Sequence, residues 1–161
     1  MLIAFANPVE IREDDLTDAR VQALLALHLA AMHENSPPGS VFALDLRGLR
    51  VPGVTVWTAW RGEEVAGIGA LKQFAPAAGE VKSMRTHPRF VRQGVAMAIL
   101  EHIIAVARSR GLVTLSLETG SGPAFAPALA LYRQRGFVHG AAFGDYAQSD
   151  FNQFLHLALN G

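Results

Sequence analysis

The chain has 161 residues, 50% of them hydrophobic and 17% charged, with Lys+Arg and Asp+Glu balanced at 14 each and no cysteine. That length and apolar content suit one folded domain with a sizeable core and exclude a disordered or acidic-tail protein. Zero net charge gives no bulk reason to expect nucleic acid or an anionic membrane as partner, and the missing cysteines exclude disulfides, thiolate metal sites and cysteine nucleophiles.

The first eight residues carry no basic region and only a short apolar run, a poor signal peptide, and no stretch approaches the ~18–20 apolar residues of a spanning helix. A soluble cytoplasmic protein is expected. Residues 9–12 read as a short first strand. Asp14, Asp15 and Thr17 offer N-caps for a helix running to about His33, in which Val21, Leu24, Leu25, Leu29 and Met32 recur at helical spacing. A second short helix is expected over 41–49, closed by Pro52-Gly53. Residues 54–60, rich in β-branched and aromatic side chains, read as a strand. A turn at 61–64 leads to a partner strand over 65–74, a hairpin.

Residues 75–79 turn the chain again, and 80–87 form the next strand, stopped by Pro88. Residues 94–110 are the strongest helix, with an apolar stripe of Val95, Ile99, Ile103 and Val106 and Gly111 just past its end. A buried type of strand covers 112–118, a helix opens near Pro123 or Pro127 and ends at Gly136, and 137–139 and about 152–159 supply two last strands. This order argues for a single α+β domain over 1–161, with a mixed sheet and at least one right-handed parallel crossover.

The segment from Glu80 to Ala96 carries the most chemistry. It is a strand, a short polar loop and a helix whose first turn holds small residues. The unpaired N–H groups and positive dipole end of a helix N-terminus bind anions. Gly94 and Ala96 leave room for a bulky anion at the backbone, and Arg89 and Arg92 add charge-assisted donors. The pattern predicts a phosphate or pyrophosphate site, although an ordinary turn with a basic helix start has the same spacing. Neither a P-loop nor a dinucleotide-binding glycine fingerprint occurs.

The run Val91-Arg92-Gln93-Gly94-Val95-Ala96 resembles motif A, R/Q-x-x-G-x-G/A, of the GCN5-related N-acetyltransferase (GNAT) superfamily, with Val91 where the family has Arg or Gln. Downstream, Phe125-x-x-Ala128-x-x-x-Tyr132-x-x-x-Gly136-Phe137 resembles motif B, with Phe125 in place of the usual Asn. The string from Glu118 to Pro127 and the later Phe143-Gly144-Asp145-Tyr146 also look like one bacterial subgroup of GNAT proteins.

The resemblance implies a GNAT-like acyl-CoA N-acyltransferase fold, with a central mixed, mostly antiparallel twisted sheet of about six or seven strands flanked by about four helices. It implies acetyl-CoA or another acyl-CoA as co-substrate. Val91, Arg92, Gln93, Gly94, Val95 and Ala96 would hold its pyrophosphate, Met84, Arg85 and Thr86 would bond its pantetheine arm through the main chain, and Phe125 would lie at the coenzyme. A bulge near Met84 would splay that strand from its neighbour and offer a backbone N–H to the oxyanion.

Acyl transfer to an amine needs a base, because an unperturbed alkylammonium has a pKa near ~10. It needs donors for the oxyanion, a proton for the leaving thiolate, and both substrates held in line. By resemblance Tyr132 is the general acid. Glu80, before the glycine motif, is the candidate base, directly or through water. Glu118, at the end of the next strand, is its rival or a group that binds the substrate ammonium, and Asp145 is a candidate for binding a cationic amine. The six histidines show no metal-ligand spacing, so no metal is expected.

The function expected is transfer of an acyl group, acetyl first, to a primary amine of a small molecule or peptide. Nucleic acid and membrane are not expected as partners, and a homodimer is common for the fold. Two alternatives remain. One is a non-catalytic acyl-CoA sensor; the other is a nucleotide-binding α/β protein, which the strand order and absent P-loop oppose.

Overall fold

The computed structural model describes residues 8–159. They form β1 (Glu10–Glu13), α1 (Ala19–Asn35), α2 (Leu46–Leu49), β2 (Val54–Arg61), β3 (Glu64–Ala75), β4 (Ala78–Thr86), α3 (Val95–Ser109), β5 (Thr114–Thr119), α4 (Ala126–Arg135), β6 (Val138–His139) and β7 (Gln153–Ala158), with 3-10 turns at Pro88–Phe90 and Pro123–Phe125. The strands make one seven-stranded sheet in the order β1-β2-β3-β4-β5-β7-β6. Among the described strands only β4 and β5 pair in parallel, joined by the crossover through α3. The mixed, mostly antiparallel sheet with four α-helices matches the expectation.

Several boundaries differ from the sequence reading, for local reasons. Asp14 and Asp15 do not cap α1: Asp14 accepts from the N–H of Leu16 and Asp15 from that of Thr17, forming a turn that buries Leu16. The cap is Asp18, which accepts from the Arg20 N–H at 2.8 Å. Asp45 caps α2 through Gly48 N–H, so this helix covers only the end of the 41–49 span. The expected turn over 75–79 shrinks to Pro76-Ala77, because β3 extends to Ala75 and β4 begins at Ala78. Glu80 therefore lies inside a strand, and it is buried.

Two apolar layers cover the sheet. On one face α3 and α4 pack Val95, Ile99, Ile103 and Leu129 against Leu115, Leu117 and Leu155. On the other, α1 and α2 pack Val21, Leu24 and Leu49 against Val56, Ile68 and Ala70. Gly67 and Gly69 let α3 settle onto β3: a Cβ there would lie 2.8 Å from Val95 Cγ1 and 2.6 Å from Ile99 Cγ2. Among the described residues no helix is long and apolar enough to cross a membrane.

Candidate active site

Two backbone features open the middle of the sheet. The parallel ladder joins β4 to β5 only at Ala78–Glu80 with Thr114–Ser116. Beyond Glu80 and Ser116 the strands separate, leaving a gap bordered by the second half of β4. In the same half, one residue of β3, Gly69, faces two of β4, Ser83 and Met84, between the pairs Ala70–Lys82 and Ile68–Arg85. This bulge carries Ser83 at φ 59 and bends β4 away from its neighbour. It also alters the alternation: Met84 packs into the α3 layer, whereas Arg85 bonds His28 of α1. The bulge expected near Met84 is present.

At the end of β4 the chain passes Pro88–Phe90 and enters α3 through two left-handed residues, Arg92 at φ 62 and Gly94 at φ 80. Gly94 is the N-cap and provides no side-chain bond to the first helical turn, so those N–H groups remain for an anion. Nothing lies within 4 Å of where a Gly94 Cβ would sit, so the approach to the backbone is open. Ser83 Oγ is buried and has no hydrogen-bond partner among the described residues. A gap with an orphaned hydroxyl, ending at an uncapped helix start, fits a long ligand with polar groups along its arm and phosphates at one end.

The expected coenzyme residues divide into those that border this track through the backbone and those whose side chains are occupied elsewhere. Met84, Arg85 and Thr86 follow the bulge along the gap. Arg92 and Gln93 are exposed in the loop, where Gln93 Oε1 accepts from Arg61 Nη1 at 2.6 Å. Val91 is 50% exposed, whereas Val95 sends its side chain into the core and has only its N–H to offer. Ala96 is half-buried. Arg89 departs from expectation, since its guanidinium is paired with Glu64 at 2.5 Å. Phe125 is a packing residue, its ring edge-on to Phe151 at 5.5 Å.

The ionisable groups gather on the α1 face of β4 and β5. Glu80 and Lys82 are both buried, with Lys82 Nζ 3.1 Å from Glu80 Oε2. Tyr146, from the β6–β7 loop, donates its hydroxyl to Glu80 Oε2 at 2.5 Å and accepts from Lys82 Nζ at 2.8 Å. Both groups hold the Glu80 carboxylate in place. Burial raises the Tyr146 phenol above its ordinary value, and the adjacent Glu80 charge adds to the rise. Glu118 faces the same cluster from β5. Burial raises its carboxyl to about 7, with Glu80 adding to the rise and Lys82 opposing it.

Tyr132 lies in the opposite, α3-side layer, 6% exposed and edge-on to Phe137. Burial raises its phenol and Arg85 opposes the rise, so the group is held as O–H. Asp145 is exposed, outside the ionic cluster. His28 is a buried acceptor for Arg85 Nε at 3.0 Å, its pKa lowered to about 4 by burial and then by Arg85.

Sequence reading does not single out Lys82 or, for any role, Tyr146. The signal for Lys82 is its i, i+2 spacing from Glu80, which sets two charged side chains on one face of a buried strand. Tyr146 carries only the weak signal of an aromatic in a glycine turn, because its partners lie 64 and 66 residues away.

A family model described as the Acetyltransferase (GNAT) family matches residues 21–137. The uncharacterized N-acetyltransferase YedL of Escherichia coli (strain K12) is 49% identical over 149 residues, 92% of this chain and 94% of its own length. A solved structure from Klebsiella pneumoniae, assigned as an acyl-CoA N-acyltransferase, superposes with a TM-score of 0.77 at 27% identity, over 94% of this chain and 98% of that one. A Bacillus subtilis acetyltransferase in complex with CoA shares the fold, with a TM-score of 0.70 at 21% identity over 93% of this chain and 98% of that one.

Proposed function

This chain belongs to the GNAT family of acetyltransferases and transfers an acyl group from acyl-CoA; from that premise we propose that it acylates a primary amine by direct attack in a ternary complex, with Glu118 as base and Tyr132 as acid. Bound acyl-CoA supplies the activated thioester. Gly94, Val95 and Ala96 would hold its pyrophosphate through the open N–H groups of α3, with Arg92 adding charge, and Met84, Arg85 and Thr86 would bond its arm along β4. The bulged backbone at Ser83 and Met84 offers donors where charge develops on the carbonyl oxygen.

The observation that carries the assignment is the contrast between the two carboxylates. Glu80, the first candidate from sequence, already holds Lys82 and the Tyr146 hydroxyl in a buried pair. Glu118 sits half-buried at the gap with a pKa of about 7, matched to taking a proton from an ammonium near neutral pH. Lys82 offsets the Glu80 charge, so that Glu118 can ionise beside it. Tyr132, on the other face, would protonate the departing thiolate, so base and acid act from opposite sides of the gap. The cysteine-free sequence fits a reducing compartment, and we place the enzyme in the cytoplasm.

Glu118→Gln tests the reading. Removing a general base is expected to lower kcat by about 10²–10⁴-fold, while calorimetry finds acetyl-CoA affinity unchanged. In the wild type kcat/KM should rise as pH passes through about 7, and the variant should lose that limb. An unaltered pH profile in Glu118→Gln would return the role to Glu80 or water. Tight CoA binding with no turnover on any amine would favour a sensor.

A further inference from the structure

We propose that the acceptor is a small arylalkyl amine with one ammonium and no carboxylate, seated against the aromatic wall that Phe42, Phe143 and Tyr146 form beside Glu118. The inference rests on the reading of Glu118 as the base.

The wall is assembled from segments distant in sequence. Phe42 comes from the stretch between α1 and α2, and Phe143 and Tyr146 come from the β6–β7 loop. The Tyr146 ring meets Phe42 at 5.1 Å and 88°, and Phe143 at 5.1 Å and 67°, both edge-to-face. Phe74 continues the wall, 5.5 Å from Phe143 and 37% exposed. Phe42, Phe143 and Tyr146 are only partly buried. Half-covered rings clustered beside an ionic site mark a surface that an apolar or aromatic ligand covers, and a ligand ring has the same edge-to-face geometry available to it.

Charge selects the rest of the acceptor. Within the cluster at Tyr146, Glu80 and Lys82 cancel, and Arg85, the further cation on this face of β4, is turned to His28 of α1, so an ionised Glu118 leaves one negative charge there, which one ammonium balances. A carboxylate on the acceptor would face Glu80 and Glu118, while Lys82 is already engaged by Glu80 and the Tyr146 hydroxyl. A second ammonium would find no further carboxylate in the cluster to pair with. Asp145, in the same loop, is exposed and screened by water, and His156 is engaged with Ser116 Oγ at 2.7 Å and Ala141 O at 2.8 Å.

The test is steady-state kinetics with acetyl-CoA and four acceptors: 2-phenylethylamine, n-butylamine, L-phenylalanine and spermidine. Wild type, Phe42→Ala and Phe42→Leu would be compared. The expected result is a kcat/KM for 2-phenylethylamine at least about tenfold above the other three, with Phe42→Ala raising the 2-phenylethylamine KM about tenfold and the n-butylamine KM less, and Phe42→Leu raising the 2-phenylethylamine KM less than Phe42→Ala does. L-phenylalanine or spermidine as the best substrate, or equal values for the aryl and alkyl amines, would overturn the substrate class and leave acyl transfer standing. So would turnover of none of the four by protein that binds CoA in calorimetry. Undiminished acylation of 2-phenylethylamine by Glu118→Gln would instead overturn the base assignment on which the charge count depends.

Discussion

Tyr146 links two charged groups that would otherwise be half-satisfied. Its hydroxyl donates to Glu80 and accepts from Lys82, and both partners are buried. Tyr146→Phe keeps the ring against Phe42 and Phe143 but leaves a carboxylate and an ammonium each short of a partner. A cost of about 1–3 kcal/mol is expected from the urea unfolding midpoint. Tyr132→Phe is the contrasting case. Its hydroxyl makes no hydrogen bond to a described residue, and its ring stays packed on Phe137. Stability should therefore hold while kcat falls about 10²-fold, as for loss of a general acid. Glu80, Glu118 and Tyr132 are legible as candidates from motif position. Lys82 shows only as the i, i+2 neighbour of Glu80, and the role of Tyr146 not at all, because its contacts close across 64 and 66 residues.

The entry into α3 and the divergence of β4 from β5 are what make the elements useful. Gly94 takes φ 80 as N-cap, a conformation that costs a residue with a Cβ about 1–2 kcal/mol. Gly94→Ala meets no protein atom with its new methyl, so the expected loss of stability comes from the backbone alone. The methyl also stands where a phosphate would approach, so calorimetry should show acetyl-CoA binding weakened by more than that strain accounts for. Periodicity and the glycine motif are enough to find α3 and the loop ahead of it, because both signals are local. The limits of α1 and β4 are less readable. Asp14, Asp15 and Asp18 are all plausible caps in sequence, and only the turn that buries Leu16 selects Asp18. The bulge is invisible to alternation, since Ser83 and Met84 read like any other strand pair.

Across the whole molecule, the Arg85–His28 bond ties the gap strand to α1, and it does so only while His28 is neutral. The folded-state pKa of His28 is lowered to about 4, against 6.5 for the unperturbed side chain. Between those values the unfolded chain binds the extra proton. The stability this represents is therefore present above pH 6.5 and lost as pH falls towards 4, about 3 kcal/mol at most. Denaturation midpoints of wild type and His28→Gln should converge over that window. Taking the difference removes the opposite slope of Glu118, whose raised pKa favours the folded state at the acidic end.

Short-range patterns in this chain suffice for the order of strands and helices, the parallel crossover and the glycine-led, uncapped start of α3, because their signals lie in local periodicity and turn residues. The choice between two carboxylates, the aromatic wall beside them and the tie from α1 to β4 depend on burial and on partners brought together across the sheet. Those are properties of the folded packing, and no local pattern encodes them.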